Sequence, residues 1–143
     1  LSSPSTAINL FDKLGLRPIK LKRFPMLANI HCGEPAYAEQ DYGCFVEASA
    51  DIHADFCLTA QGDSMAGTIL PGDIVFIRIQ PDVENKEIAA IQIDDEAMLK
   101  RVVKVGNQIF FQPDNPAHEI IIPERWDNIR ILGKAVFLQR PVK

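Results

Sequence analysis

Long apolar runs are missing from this 143-residue sequence. The uncharged stretches are short, such as the one bounded by Glu119 and Pro123. None approaches the roughly 20 apolar residues that a membrane-spanning helix needs. Residues 1–7 lack the charged start and apolar stretch of a signal peptide. These absences predict a cytoplasmic protein with no membrane partner. Excess positive charge is absent too. The net charge is −4, so the chain has no general electrostatic pull on DNA or RNA. Any DNA contact is expected to come from a part of the protein absent from this chain. The small basic cluster Lys20, Lys22 and Arg23 reads as solvated linker rather than as a nucleic-acid patch.

Cysteine is sparse. Cys32, Cys44 and Cys57 make an odd set without CxxC spacing, which suggests neither a disulfide framework nor a zinc knuckle. His31, His53 and His118 lie far apart and form no ligand pair at helical spacing. No metal and no other cofactor is expected. Helix signals are confined to one place. Thr6 can cap a helix over residues 7–14, with Gly15 as its stop. Ile8, Phe11 and Leu14 share a face there, but a helix this short is marginal alone.

What remains is a single domain rich in strand signals. The length suits one domain with a real core. Hydrophobic residues at 47% and charged residues at 24% are ordinary for a globular protein. Residues 1–25 read as a leader or linker, and the chain opens on Leu1 rather than Met, as a fragment or processed chain would. From Met26 onward strands dominate. Residues 56–60, 74–79, 88–93, 98–105, 109–112, 120–122 and 129–138 are rich in β-branched or apolar residues. Asp94-Asp95-Glu96, Gly106-Asn107 and the Pro113 to Pro116 stretch mark turns and a loop between them. That pattern predicts a mainly β fold with almost no helix.

One serine stands out. Gln61-Gly62-Asp63-Ser64-Met65 follows an apolar strand, which places Ser64 on a turn. A serine hydroxyl is a poor nucleophile until a base takes its proton. His53 or His118 could serve in a triad, but the GxSxG elbow fails at Ala66 and strand–helix alternation is absent. An SxxK arrangement fails at Gly67. The third base is a lysine from another strand. Lys100 sits in Ala97-Met98-Leu99-Lys100-Arg101-Val102-Val103, where alternation puts it on one face with Met98 and Val102. Burial there disfavours the ammonium form. To act near neutrality its pKa must fall by about 3 from roughly 10.4, which costs about 4 kcal/mol. On alternation alone, a lysine snorkelling from an edge strand is the stronger reading.

A family resemblance supplies the missing weight. Gly62-Asp63-Ser64-Met65, then Pro71-Gly72-Asp73-Ile74-Val75, then Ile93-Asp94-Asp95-Glu96 leading to Leu99-Lys100-Arg101, resembles the LexA-like self-cleaving peptidase domains, including phage repressor C-terminal domains and UmuD. The resemblance implies a compact domain of several short, highly bent antiparallel strands over residues 26–143, serving peptidase and dimerisation roles. It makes Ser64 the nucleophile and Lys100 the base, with backbone N–H groups of Ser64 and Met65 meeting the oxyanion. Ile30-His31-Cys32-Gly33-Glu34-Pro35 resembles the family's cleavage loop, here residues 26–43, with Cys32 and Gly33 flanking the cut. Cys32 is small, Gly33 lets the chain bend without a side-chain clash, and Pro35 stiffens the exit. The stretch from Met65 to Pro71 is about one residue shorter than in LexA, and no helix-turn-helix fits before Met26.

The resemblance implies the regulatory half of a repressor that cleaves itself, in response to DNA damage, as part of an SOS response. It further implies a homodimer, formed in part by residues 129–138, and a recombinase filament on single-stranded DNA as co-protease. The alternative is a UmuD-like, self-processed subunit of a translesion polymerase.

Overall fold

A computed structural model of the chain describes residues 13–16, 19–27, 44–126 and 128–142. Its named elements are all strands: β1 (Leu21–Leu27), β2 (Phe45–Ser49), β3 (Phe56–Thr59), β4 (Ile74–Ile79), β5 (Ile88–Ile93), β6 (Glu96–Val105), β7 (Gln108–Gln112) and β8 (Ile129–Gln139). They form one eight-stranded sheet in the order β2-β1-β3-β4-β8-β5-β6-β7. The mainly β expectation holds. Among the described residues, no helix is long and apolar enough to cross a membrane. The helix expected over residues 7–14 lies almost wholly outside the described residues.

Three local outcomes differ from the sequence reading. The sheet begins at Leu21, inside the stretch read as linker, so Lys22 and Arg23 belong to a strand. Their charges hid it: Lys22 and Arg23 each place a charged end over a ring, of Phe24 and Phe45 respectively. Secondly, one pairing is parallel: Met26 and Leu27 lie beside Cys57 and Leu58. The first half of β1 pairs instead with β2, up to Pro25 opposite Phe45. Pro25 has no N–H for a ladder, which suits it to this change of partner. Thirdly, residues 120–122 form no strand. Ile121 makes a single bridge to Phe111, and Pro123 has no N–H to extend it.

The strands are bent, and β8 shows how. Phe76 pairs with Phe137 but Ile77 with Ala135, so Val136 is an extra residue. Ala90 pairs with Gly133 but Ile91 with Ile131, so Leu132 is another. Each extra residue bends the strand and increases the local twist. Consequently β3 and β6, separated in the sheet by β4, β8 and β5, share one core. Phe56, Ile77, Ala90, Leu99 and Leu132 pack there with Met65 and Ile69. The opposite sides of β4 and β5 are covered as well, with Phe76 in a second core and Ile91 in a third. Burial on both faces explains why Ile74–Ile79 and Ile88–Ile93 read as continuous apolar runs rather than alternating ones.

Candidate active site

The connection from β3 to β4 carries Ser64. Gly62 takes a φ of 72°, a left-handed turn that suits glycine. The chain then makes one helical turn: the Ala66 N–H donates to Asp63 O (3.0 Å), and the Ile69 N–H to Met65 O (2.9 Å). Met65 and Ile69 are buried in the core below. Each contributes about 2 kcal/mol by leaving water, and together they hold Ser64 half-buried on the wall above. The connection closes on itself, since the Gly72 N–H donates to Ala60 O and the Ala60 N–H to Asp73 O.

Lys100 comes from the middle of β6, opposite Ala89 of β5. It is 8% exposed, and its Nζ lies 2.8 Å from Ser64 Oγ. The ammonium donates this hydrogen bond; the neutral amine would accept it from the hydroxyl. Burial pushes the Lys100 pKa below its ordinary 10.5. Among the described residues no carboxylate pairs with Lys100, so no opposite charge offsets the cost of burying its ammonium. The structure thus brings together two residues that strand alternation alone could not pair.

This burial has a consequence for stability. The unfolded lysine titrates near 10.4 and the folded one lower. Between those values the unfolded chain binds more protons, so Lys100 costs stability below its folded pKa and the cost disappears as pH rises to the unfolded value. Lys100→Met is therefore expected to raise the melting temperature at pH 7 and to lose that advantage towards pH 10.5. Thermal unfolding of both proteins across this range checks it; an unchanged or lower value at pH 7 would count against a buried, destabilised ammonium.

A cleft of about 460 Å³ opens beside Ser64. Leu27, Leu58, Ala60, Met65 and Leu99 give it an apolar floor, and Gln61, Asp95 and Glu96 lie along its walls. Leu27 is the last described residue before the stretch that contains Cys32 and Gly33. Both of those residues, with the expected cleavage loop, lie outside the described residues. The backbone N–H groups of Ser64 and Met65 donate to no acceptor among the described residues.

The other candidates are placed elsewhere. The His118 ring lies 2.7 Å from Asp63 Oδ1 at the surface, and His53 is exposed ahead of β3. The Cys57 thiol is buried, donates to Pro25 O at 3.6 Å, and is pushed up to about 11 by desolvation. Among the described residues no cluster of three His, Cys, Asp or Glu could hold a metal ion.

Sequence reasoning missed two supports of the serine connection. Asp73, 1% exposed, accepts two hydrogen bonds from Arg140, both at 2.6 Å, and one from the Leu70 N–H at 2.8 Å. The Arg140 guanidinium holds its carboxyl below the usual range. The two residues stand 67 positions apart in sequence, so no local pattern announced the pair. Asp114 is the second support, paired with Arg101, which likewise lowers its pKa. Glu87 is lowered by Lys134. Depressed carboxyls stabilise the fold above their unfolded pKa, and that contribution is lost as pH falls through the folded values. Stability is therefore expected to decline below about pH 4. Asp73→Asn is expected to lower stability at neutral pH and to flatten this acid decline, as denaturant titrations at pH 7 and pH 3 would show.

Comparison with known proteins adds an independent finding. Residues 25–136 match the family described as Peptidase S24-like. The chain is 37% identical over 128 residues to the LexA repressor of Desulforamulus reducens, covering 86% of this chain and 58% of that protein. It is 36% identical over 135 residues to the LexA repressor of Enterococcus faecalis, covering 90% and 62%. LexA repressor 1 of Geobacter sulfurreducens is 33% identical over 123 residues, covering 83% and 61%. The chain thus spans about three fifths of the length of these curated relatives.

Proposed function

The chain belongs to the Peptidase S24-like family, and from that premise we propose that Ser64 and Lys100 are a nucleophile and general base that cut the chain's own Cys32–Gly33 bond. The observation that carries the proposal is the buried Lys100 Nζ at 2.8 Å from Ser64 Oγ. Neutral Lys100 takes the Ser64 proton as Oγ attacks the Cys32 carbonyl carbon. The N–H groups of Ser64 and Met65 stabilise the oxyanion. As the C–N bond breaks, Lys100 returns the proton to the Gly33 amine. Water then attacks the acyl-serine ester, which releases a carboxylate at Cys32 and restores Ser64.

A substrate in the same chain has a high effective concentration, so an unregulated site would act at once. We propose two positions of the cleavage loop, one held away from Ser64 and one docked in the cleft. Docking excludes water from Lys100 and keeps it neutral. A recombinase filament on single-stranded DNA would favour the docked position after DNA damage.

The resulting role is that of the regulatory domain of a LexA-type repressor, homodimeric and cytoplasmic, with DNA contact made outside this chain. The relatives compared above carry the name LexA repressor, which favours this reading over the UmuD-like one. Incubating the chain at rising alkaline pH and weighing the fragments tests the proposal. A cut between Cys32 and Gly33 that quickens with pH supports it. A cut at another bond, or no cut at any pH, overturns it.

A further inference from the structure

The loop after β7 touches Ser64 and the residue that follows Lys100. Asp114 lies on this loop, its side chain 13% exposed. Its carboxylate accepts two hydrogen bonds from Arg101, from Nε at 2.8 Å and from Nη2 at 2.7 Å. Arg101 directly follows Lys100 in β6. The same carboxylate accepts the Thr68 hydroxyl at 2.5 Å, and Thr68 ends the helical turn that Ser64 begins. The backbone adds to the join. The Asp114 N–H donates to Met65 Sδ at 3.4 Å, and the Asn115 N–H donates to Ser64 O at 3.0 Å. The Asn115 amide also donates to Asp63 O at 3.0 Å.

We propose that Asp114 is a positioning residue, which sets the distance between Ser64 Oγ and Lys100 Nζ by tying the serine turn to the lysine strand. The inference rests on the dyad reading and adds a part to it. Ser64 and Lys100 stand on elements that are far apart in the sheet order. The shared core holds them at one level, but apolar contacts are not directional and leave room to slide. A bidentate carboxylate–guanidinium pair fixes both distance and angle, and the Thr68 hydroxyl extends that constraint to the turn. The other titratable groups on these elements do not pair with Asp114: Asp63 pairs with His118, Lys104 with Asp82, and Glu96 and Glu119 are exposed.

Loosening this tie has two effects. The hydroxyl spends less time within reach of the amine, so the rate falls at every pH. Water also enters around Lys100, which favours its ammonium form and moves the rise in rate to higher pH. Loss of fold stability alone would do neither once the rate is corrected for the folded fraction.

The experiment measures self-cleavage of the full chain against pH for wild type, Asp114→Ala, Asp114→Asn and Thr68→Val, with the folded fraction followed by circular dichroism. Asp114→Ala is expected to cleave about tenfold more slowly at its plateau, with a midpoint displaced to higher pH. Asp114→Asn keeps an acceptor for Thr68 and is expected to fall between alanine and wild type. Thr68→Val is expected to slow the rate less than Asp114→Ala. A wild-type rate and midpoint in Asp114→Ala, after correction for folding, would overturn the positioning role while leaving the dyad intact. Absence of cleavage in the wild type itself would overturn the dyad reading, and the positioning role with it.

Discussion

Alanine in place of Ser64 is expected to abolish self-cleavage, a fall of about 10⁶-fold of the kind found when nucleophile and base act as one unit. The reason is chemical rather than structural. Without Oγ no ester can form, and the remaining N–H groups can only stabilise attack by water. Lys100→Ala is expected to fall by about 10²–10⁴-fold, the share of a general base, and by more where the base also orients Oγ. The two losses should not add, because without Oγ there is no hydroxyl proton for Lys100 to take. Cleavage followed over days by gel and mass measurement separates these cases. A double variant that is slower than Ser64→Ala by a further full factor would show that Lys100 acts on its own. The fold should survive both changes. Ser64 is half-buried on a turn whose anchors are Met65 and Ile69, and removal of Lys100 relieves a buried charge.

The largest expected effect on the fold lies at a residue far from this chemistry. Gly133 is buried in β8 between β4 and β5, opposite Ile79 on one side and Ala90 on the other. A Cβ built there would stand 2.2 Å from the Arg78 carbonyl oxygen and 2.8 Å from the Ile77 side chain. The nearest obstacle is backbone, which cannot rotate away as a side chain would. Gly133→Ala is therefore expected to force β8 away from β4 and to cost about 3 kcal/mol. For a domain of this size that lowers the melting temperature by about 10 °C. Since β8 holds β4 and β5 together, the sheet's curl and the Ser64–Lys100 approach depend on it. A variant melting within about 2 °C of wild type would show that β8 can shift at little cost.

Much of this architecture was legible in the residues, for physical reasons that differ from place to place. Ile74–Ile79 and Ile88–Ile93 announced themselves because both faces are buried and both ends meet turn residues. The β5–β6 hairpin was legible from Asp94-Asp95 between two apolar runs, and Asp94 does take a left-handed φ of 54°. Strand β1 was not, because its charged residues cover rings at the sheet edge instead of marking a linker. Residues 120–122 misled for the opposite reason: three isoleucines suggested a strand, yet Ile120 and Ile122 are exposed and only Ile121 pairs.

The candidate site divides in the same way. Ser64 on a turn was readable from its glycine-bearing surroundings. Lys100 was not, since alternation places a lysine on a face without saying what faces it. Only the resemblance joined the two before the fold was known. Asp114 and Asn115 looked like loop formers, and nothing local says that their N–H groups hold the serine turn. Asp73 stood within a quoted motif, but its partner Arg140 comes from the far end of the domain. Gly133 did carry a signal, because a glycine inside a strand often marks a close backbone approach.

The central claim is that Lys100, buried and made neutral, activates Ser64. It can be tested without any cut in the chain. The measurement is intact mass after timed incubation with a fluorophosphonate, whose fluoride Ser64 would displace, at pH values from 6 to 11 for wild type and Lys100→Met. The account predicts one adduct per chain, on Ser64, whose rate rises with a midpoint below the 10.5 of an ordinary lysine and which forms about 10²-fold more slowly or worse in Lys100→Met. An adduct elsewhere, or equal labelling of Ser64 in Lys100→Met, would contradict it.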